Sequence, residues 1–267
     1  MTQRERREFL IRSMLLERPE YGIVSIPTDD AGQQRLLRSL FNLRPPQPPS
    51  EAFLQIQDAY LRQEIAGKGV TDLNALRPVE EGIYLWRGDI TTLRCDAIVN
   101  AANSGLLGCF YPCHGCIDNA IHTYAGVQLR LACAALMEQQ GHEEETGKAK
   151  ITPAFNLPCR YVLHTVGPIV HGKLTQKEEE QLASPYRSCL DLAGQHAVKS
   201  IAFCCISTGE FHFPPRRAAE IAVETVRAYR AQTHSNLEVI YNVFQERDYN
   251  IYRELLGGDK PPEGRPA

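Results

Sequence analysis

The first third of the chain carries apolar residues at helical spacing. Apolar positions recur every three to four residues over 9–17 and 33–42, and a third run of this kind follows Ser50. This periodicity predicts three α-helices, with Ser50 as the N-cap of the third. The proline-rich segment 44–49 cannot be helical and links the last two. We therefore predict an all-helical N-terminal extension over residues 1–75.

From about residue 83 the pattern changes to short β-rich runs that alternate with helical runs. The predicted strands are residues 83–86, 97–99, 161–166, 200–206 and 237–244. The predicted helices are residues 117–138, 177–197 and 215–229. This alternation is typical of a layered α/β fold with a largely parallel sheet, which we assign to residues 76–256. Residues 257–267 are rich in Gly, Pro and charge, and we predict a disordered tail there.

Composition narrows the class of protein. The chain has 267 residues and a net charge of −3, which argues against a non-specific nucleic-acid binder. The first twenty residues mix charges among apolar positions, and no apolar run is long enough to cross a bilayer. Nine cysteines in a chain of this length favour reduced thiols with a metal site over a disulfide framework. We expect a cytoplasmic protein without nucleic-acid or membrane partners.

The segment 109–116, here called the Cys/His loop, carries the strongest chemical signal. Cys109, His114 and Cys116 have the spacing C-x4-H-x-C, and Cys113 is a fourth candidate ligand. Thiolates and an imidazole on one short loop are suited to zinc, and three ligands with one open position are typical of a catalytic ion. Cys116 stands where a helix should begin, and a helix N-terminus stabilises a thiolate. A structural zinc, or buried cysteines beside an incidental histidine, are the alternatives.

Asp118 and His122 stand four residues apart, so they share one face of the predicted helix. Two interpretations remain open. The pair could lie behind the metal ligands and orient them, or it could be an ordinary i,i+4 pair on a solvated face.

Two further strand ends offer polar groups to a ligand. Residues 207–211, here called the anion loop, follow a predicted buried strand and precede a helix, an arrangement that points backbone N–H groups at an anion. This pattern alone is weak, because many α/β loops contain Ser-Thr-Gly. Asp89 follows the first strand of the main domain, where its carboxylate could accept a hydrogen bond from an exocyclic amine or cap a turn.

Together these motifs resemble the macrodomain family. Residues 88–91 and 96–103 match its opening signature, and residues 206–214 resemble its phosphate loop. The resemblance runs from about residue 83 to residue 252. It implies a three-layer α/β/α sandwich with a mixed, largely parallel sheet that binds ADP-ribose.

The resemblance also implies roles for individual residues. Asp89 would read the adenine amine, and Ile90 would supply a backbone N–H. Asn103 would contact the distal ribose, and Phe244 would stack on adenine. The pyrophosphate would be wrapped by Ser207, Thr208, Gly209, Glu210 and Phe211.

The chain departs from the common family pattern at two places. A glycine-rich stretch is usual where this chain has the Cys/His loop, and this replacement, with the helical extension, resembles the zinc-dependent macrodomain subgroup of microbes. Its members are protein-ADP-ribose hydrolases, often paired with a sirtuin-type ADP-ribosyltransferase and a lipoyl-carrier protein. In the phosphate loop, Glu210 and His212 replace an apolar residue and a glycine. A carboxylate beside a pyrophosphate is unfavourable unless its side chain turns outward.

The resulting hypothesis is a zinc-dependent hydrolase of ADP-ribosylated proteins. It would break the bond between C1″ of the distal ribose and a protein side chain, most readily an Asp or Glu ester. Zn²⁺ would be held by Cys109, His114 and Cys116, while Asn103 fixes the sugar and Asp118 acts as a base or orienting group. A non-catalytic ADP-ribose reader with a structural zinc is the alternative, and a thiol redox switch centred on Cys113 is a third possibility.

Overall fold

The computed structural model describes residues 1–18, 20 and 24–257. Its N-terminal part contains the three predicted helices, and Ser50 caps the third by accepting a hydrogen bond from the N–H of Phe53 at 3.2 Å. Their bounds are α1 (Gln3–Leu16), α2 (Asp30–Leu43) and α3 (Glu51–Lys68). The helices enclose a small apolar core that also includes Val127 of the main domain and is distinct from the core of the sheet. In the predicted tail, residues 258–267 lie outside the described residues.

The end of the extension departs from the all-helical prediction. A two-residue strand, β1 (Thr71–Asp72), pairs in parallel with β3 (Leu93–Arg94). A short 3-10 helix, Leu73–Ala75, follows β1. The extension is therefore tied to the main domain by backbone pairing, and the boundary after residue 75 stays a prediction.

A six-stranded sheet forms the centre of the main domain. Its strands are β2 (Ile83–Arg87), β4 (Ala97–Ala101), β5 (Ala149–Pro153), β6 (Tyr161–Thr165), β7 (Ser200–Phe203) and β8 (Glu238–Val243). They lie in the order β2-β8-β7-β4-β6-β5, and all neighbouring pairs are parallel except the antiparallel pair β5–β6. The predicted mixed, largely parallel sheet is thus confirmed. The edge strand β5 was not predicted, because it includes Lys, Thr and Pro and gives no clear apolar run.

Helices cover both faces of the sheet, which confirms the three-layer sandwich. They are α4 (Ile117–Ala125), α5 (Val127–Gln140), α6 (Gln176–Gln195), α7 (Pro215–Thr233) and α8 (Glu246–Leu255). α6, α7 and α8 form one contiguous layer, while α4 and α5 pack together and contact the sheet through β4 and β5. α8 was not predicted. No helix in the described part of the chain is long and apolar enough to cross a membrane.

The prediction of one helix over 117–138 is wrong, because Gly126 divides it into α4 and α5. Gly126 has φ of 95°. This left-handed backbone conformation is energetically unfavourable for any residue that has a Cβ atom. A Cβ there would also come within 2.7 Å of the side chain of Gln57 on α3. This close approach fixes the point at which the second helix begins.

The carboxyl ends of the parallel strands meet at one edge of the sheet, where ligands of α/β proteins usually bind. Arg87 of β2 pairs with Val243 of β8, so Asp89 and Phe244 follow neighbouring strand ends. Ala101 at the end of β4 leads into Asn103, and β7 leads into the anion loop. The residues named from sequence therefore share this edge.

Candidate active site

Cys109, His114 and Cys116 come together on the Cys/His loop between β4 and α4. Their ligand atoms all lie within 4.8 Å of one another, and Cys109 Sγ is 3.5 Å from His114 Nδ1. A tetrahedral zinc ion holds a sulfur and a nitrogen ligand about 3.6 Å apart. The donor set and its spacing therefore fit zinc with three protein ligands.

Cys113, the fourth candidate ligand, does not belong to this group of three. Its Sγ lies 3.3 Å from Ser39 Oγ and 3.4 Å from the carbonyl oxygen of Arg35, both on α2. The backbone at Cys113 is left-handed, with φ of 55°. The group that converges therefore offers three ligand atoms, from Cys109, His114 and Cys116.

Cys116 is the N-cap of α4, as predicted, and its Sγ accepts a hydrogen bond from the N–H of Asn119 at 3.4 Å. Burial nevertheless dominates and raises the pKa of the Cys116 thiol to about 12, with Cys109 and Asp118 adding to the effect. The hydrogen bond from the N–H of Asn119 lowers the pKa of the thiol, as expected at a helix N-terminus, but the effect of burial is larger. A bound cation has to displace this proton, so metal affinity carries the cost of deprotonation.

The N-terminal extension holds the Cys/His loop in place. Arg38 on α2 donates to the carbonyl oxygen of His114 at 2.9 Å and to Asn119 Oδ1 at 2.8 Å. Asn42 on the same helix accepts a hydrogen bond from the N–H of Cys113 at 2.8 Å. Sequence reasoning missed these contacts, because nothing in the local pattern pairs α2 with a loop more than seventy residues later.

Asp118 is buried directly behind the ligand loop. One of its oxygens accepts a hydrogen bond from Asn100 Nδ2 at 2.8 Å, and the other lies 3.4 Å from Asn103 Nδ2. Burial raises the pKa of Asp118 to about 6, although the hydrogen bond from Asn100 opposes the shift. A carboxylate with such a pKa, next to the asparagine assigned to the sugar, is a good candidate for a general base.

The interpretation of Asp118 and His122 as a solvated pair is wrong, because both side chains are buried. His122 Nε2 lies 3.5 Å from Asp118 Oδ1. The His122 ring packs against Gly108, where φ is 81° and a Cβ would come within 2.7 Å of the imidazole. Gly108 therefore lets the loop start directly over this buried pair.

A polar network extends from Asp118 into the core. Asn100 and His164 are register partners on β4 and β6, and Asn100 Nδ2 is 3.2 Å from His164 Nδ1. His164 Nε2 lies 3.0 Å from Thr152 Oγ1. Asn100 and His164 were not among the predicted site residues, although both are buried polar residues on strands that are mainly apolar. A polar residue within an apolar strand was the sequence signal that could have identified both as site residues.

We expect His164 to make stability fall steeply in acid. Burial lowers the pKa of His164 from 6.5 to about 3, so the imidazole stays neutral in the folded protein while it is protonated in the unfolded chain. The contribution of His164 to the free energy of unfolding is therefore complete above pH 6.5. As the pH falls from 6.5 toward 3, that contribution decreases by about 1.4 kcal/mol per pH unit. Urea unfolding at pH 7, 6, 5 and 4 should therefore give a steeper slope for the wild type than for His164→Asn. Equal slopes would contradict the assignment.

The anion loop follows β7 and faces the Cys/His loop. Ser207 is buried with φ of 65°, and its Oγ has no hydrogen-bond partner in the protein. A strained, buried and unpartnered hydroxyl fits a loop that awaits a polar ligand. Glu210 turns across the site, where its Oε1 lies 3.5 Å from His114 Nε2. Its carboxylate is thus directed at the imidazole rather than at the loop's own backbone.

The opposite end of the site holds Asp89, Ile90 and Phe244. Asp89 Oδ1 accepts hydrogen bonds from the N–H and hydroxyl of Thr91 at 3.0 and 2.6 Å. Its Oδ2 accepts one from Lys68 at 2.8 Å. Phe244 directly follows β8 and has 75% of its surface exposed, whereas Ile90 is buried. An exposed ring beside a fixed acceptor is suited to a purine base, and Lys68 is a contact that the sequence did not suggest.

Comparisons with known proteins match this arrangement. The family model described as "Macro domain" matches residues 99–222. A protein from Treponema medium named protein-ADP-ribose hydrolase is 59% identical over 260 residues, which cover 96% of this chain and 100% of that protein. The chain belongs to the macrodomain family. The resemblance inferred from the sequence motifs is therefore confirmed at the level of the family.

Other relatives of this macrodomain agree in sequence and in fold. A protein-ADP-ribose hydrolase from Staphylococcus aureus (strain MSSA476) is 47% identical, with 97% of each chain covered. The crystal structure of a Trypanosoma brucei macrodomain in complex with ADP-ribose superimposes with a TM-score of 0.64 at 32% identity, covering 82% of this chain and 95% of that one. Sequence and fold thus agree that this chain is a macrodomain.

Proposed function

We infer that this macrodomain protein is a protein-ADP-ribose hydrolase, an enzyme that removes ADP-ribose from modified proteins. Relatives with that name are 47% and 59% identical to it over nearly their whole length. A non-catalytic reader is therefore the weaker hypothesis. The observation that carries a more specific proposal is the three-ligand group on the Cys/His loop, which lies between Asn103 and Asp118, the second residue of α4.

We propose that the reaction depends on Zn²⁺ held by Cys109, His114 and Cys116. The donor types and their mutual distances support this assignment, since all three ligand atoms lie within 4.8 Å of one another. When bound, the zinc ion supplies Lewis-acid polarisation of an oxygen of the distal ribose or of the scissile ester.

Asn103 and Asp118 are proposed to act on the distal ribose. Asn103 Nδ2 donates to the carbonyl oxygen of Gly108 at 3.1 Å, which fixes the amide at the mouth of the site. Asp118 is fixed from behind by Asn100, so its second oxygen remains directed toward Asn103. In this position Asp118 accepts a proton from a ribose hydroxyl or from the attacking water. Asn103 holds the distal ribose in position.

The anion loop is proposed to bind the pyrophosphate through Ser207, Thr208, Gly209, Glu210 and Phe211. The unpartnered hydroxyl of buried Ser207 supports this role. The direction of Glu210 toward His114 removes the difficulty of an acid beside a pyrophosphate, because its charge faces the imidazole instead. Such phosphate contacts are the same in the ground and transition states, so they set affinity more than turnover.

The linkage that we propose is an ester to Asp or Glu, since a carboxylate is a good leaving group. By family resemblance, the modified protein is proposed to be of the lipoyl-carrier type. We place the reaction in the cytoplasm, a compartment that suits a chain whose nine cysteines are all free thiols.

A metal assay combined with a substrate panel tests this proposal. We expect about one zinc ion per chain in purified protein. We also expect release of ADP-ribose from Asp/Glu-linked substrates in preference to Ser- and Arg-linked ones. A chelator should abolish release, and added Zn²⁺ should restore it. Release that continues after complete removal of metal would refute zinc dependence while leaving the hydrolase assignment standing.

A further inference from the structure

Lys68 brings the N-terminal extension into contact with the nucleotide end of the site. It is the last residue of α3, which packs against the short 3-10 helix Ile90–Thr92. The Lys68 ammonium lies 2.8 Å from Asp89 Oδ2 and 3.4 Å from the centroid of the Tyr124 ring. Two independent contacts therefore hold a side chain that is usually free in solvent.

Asp89 and Lys68 form a fixed pair of unlike hydrogen-bonding groups. Asp89 cannot rotate freely, because Thr91 occupies its other oxygen with two hydrogen bonds. About a third of each side chain is exposed, 32% for Lys68 and 35% for Asp89, so the pair faces solvent at the mouth of the site. The exposed ring of Phe244 stands nearby, since the N–H of Gly88 donates to the carbonyl oxygen of Val243 at 3.0 Å.

The charge on Lys68 also keeps Asp89 ionised. Burial acts to raise the pKa of Asp89, but hydrogen bonds from Lys68 and Thr91 outweigh it and hold the pKa below its usual value. An ionised carboxylate accepts hydrogen bonds only, whereas an ammonium only donates them. The two groups together thus present one hydrogen-bond acceptor and one cationic donor to a ligand that stacks on the Phe244 ring.

Adenine matches this pattern, because its amine at C6 is a donor flanked by two ring acceptors, N1 and N7. We propose that Lys68 is a specificity-determining residue that reads adenine N7 while Asp89 accepts from the amine and the backbone N–H of Ile90 serves N1. This rests on the proposed binding of ADP-ribose. Lys68 keeps its contact with Asp89, since an ammonium has three donors. The N-terminal extension is then part of the nucleotide site and does more than cover the fold.

Calorimetric titration of the full chain with ADP-ribose and two analogues tests this role. One analogue carries 7-deaza-adenine, which lacks N7, and the other carries 1-deaza-adenine, which lacks N1. Lys68→Met keeps an apolar stem over Tyr124 and removes the charge, while Lys68→Arg keeps the charge. Lys199→Met is the matched control, because Lys199 is exposed and immediately precedes β7, at the opposite edge of the sheet from the site.

Loss of a charge-assisted hydrogen bond should weaken ADP-ribose binding by Lys68→Met about tenfold, with Lys68→Arg closer to the wild type. The 7-deaza analogue should bind more weakly than ADP-ribose to the wild type and to Lys199→Met, by the same factor. It should bind to Lys68→Met no more weakly than ADP-ribose does. Removal of N1 should cost all four proteins equally. Thermal unfolding of each variant checks that the fold is retained.

Three outcomes would overturn the inference. Tighter binding by Lys68→Met would mean that Lys68 competes with the adenine amine for Asp89. An equal loss of affinity for the 7-deaza analogue in wild type and Lys68→Met would mean that Lys68 does not contact N7. Binding of ADP-ribose by Lys68→Met that equals binding by the wild type would mean that Lys68 makes no contact with adenine. A wild type that binds no ADP-ribose is a different result, because it would remove the proposed function itself.

Discussion

Replacing Cys116 with serine is expected to lower turnover by about a thousandfold while ADP-ribose still binds. The substitution removes one of three converging ligands, and a serine hydroxyl is a poor ligand for zinc at neutral pH. Lewis-acid stabilisation by a metal ion contributes several kcal/mol to a transition state, which corresponds to a loss of about this size. Binding should change only a few-fold, because the pyrophosphate and adenine contacts lie on other loops.

Cys113→Ser is the matched control, since it is the same substitution on the same loop. Cys113 Sγ faces Ser39 on α2 rather than the ligand group, so zinc content and turnover should both stay near wild type. Elemental analysis, single-substrate kinetics and calorimetry on the three proteins provide the measurements. Full turnover by a Cys116→Ser protein without zinc would show that the ligand group has no part in the reaction.

Asp118→Asn is expected to reduce turnover by about a hundredfold to a thousandfold, in line with the loss of a general base. The amide has nearly the same shape as the carboxyl group, and its oxygen can keep the short hydrogen bond from the Asn100 amide, now 2.8 Å. Only the long contact with Asn103 Nδ2, now 3.4 Å, is lost. The amide cannot accept a proton. The Kd for ADP-ribose should therefore remain within a few-fold of wild type while kcat falls.

The control for this variant is Asp96→Asn. Asp96 immediately precedes β4, so the same substitution is made at the amino ends of the strands, away from the site. Asp96 accepts a hydrogen bond from the backbone N–H of Lys199 at 2.7 Å, so its replacement should affect stability more than kcat. An unchanged kcat in Asp118→Asn would exclude the carboxylate as the base. A loss of ADP-ribose binding equal to the loss of turnover would instead assign Asp118 to substrate binding.

Much of the fold could be predicted from the sequence, because the buried parallel strands are short apolar runs bounded by clear turn signals. β7, for example, reads Ser-Ile-Ala-Phe and is fully buried. The prediction failed where the signal depends on packing. The edge strand β5 has a half-buried, mixed composition, and the break at Gly126 is imposed by the approach of Gln57 from another helix. Neither feature is visible in a local window of residues.

The candidate site divides in the same way. Cys109, His114 and Cys116 converge as their spacing indicated, because a loop of eight residues cannot separate them far. The direction of the Cys113 side chain could not be predicted, since it depends on contacts with α2. Lys68 was equally invisible, because its meeting with Asp89 depends on how α3 packs against the main domain.

The dependence of the Cys/His loop on Arg38 and Asn42 has a consequence for protein engineering. A transplant of residues 109–116 into a macrodomain that lacks α2 would carry the cysteines and the histidine but not the guanidinium and amide that brace them. A trimmed catalytic core that begins after the third helix would have the same defect. The Cys/His loop and the leading helices are thus best regarded as a single unit, to be moved or inherited together.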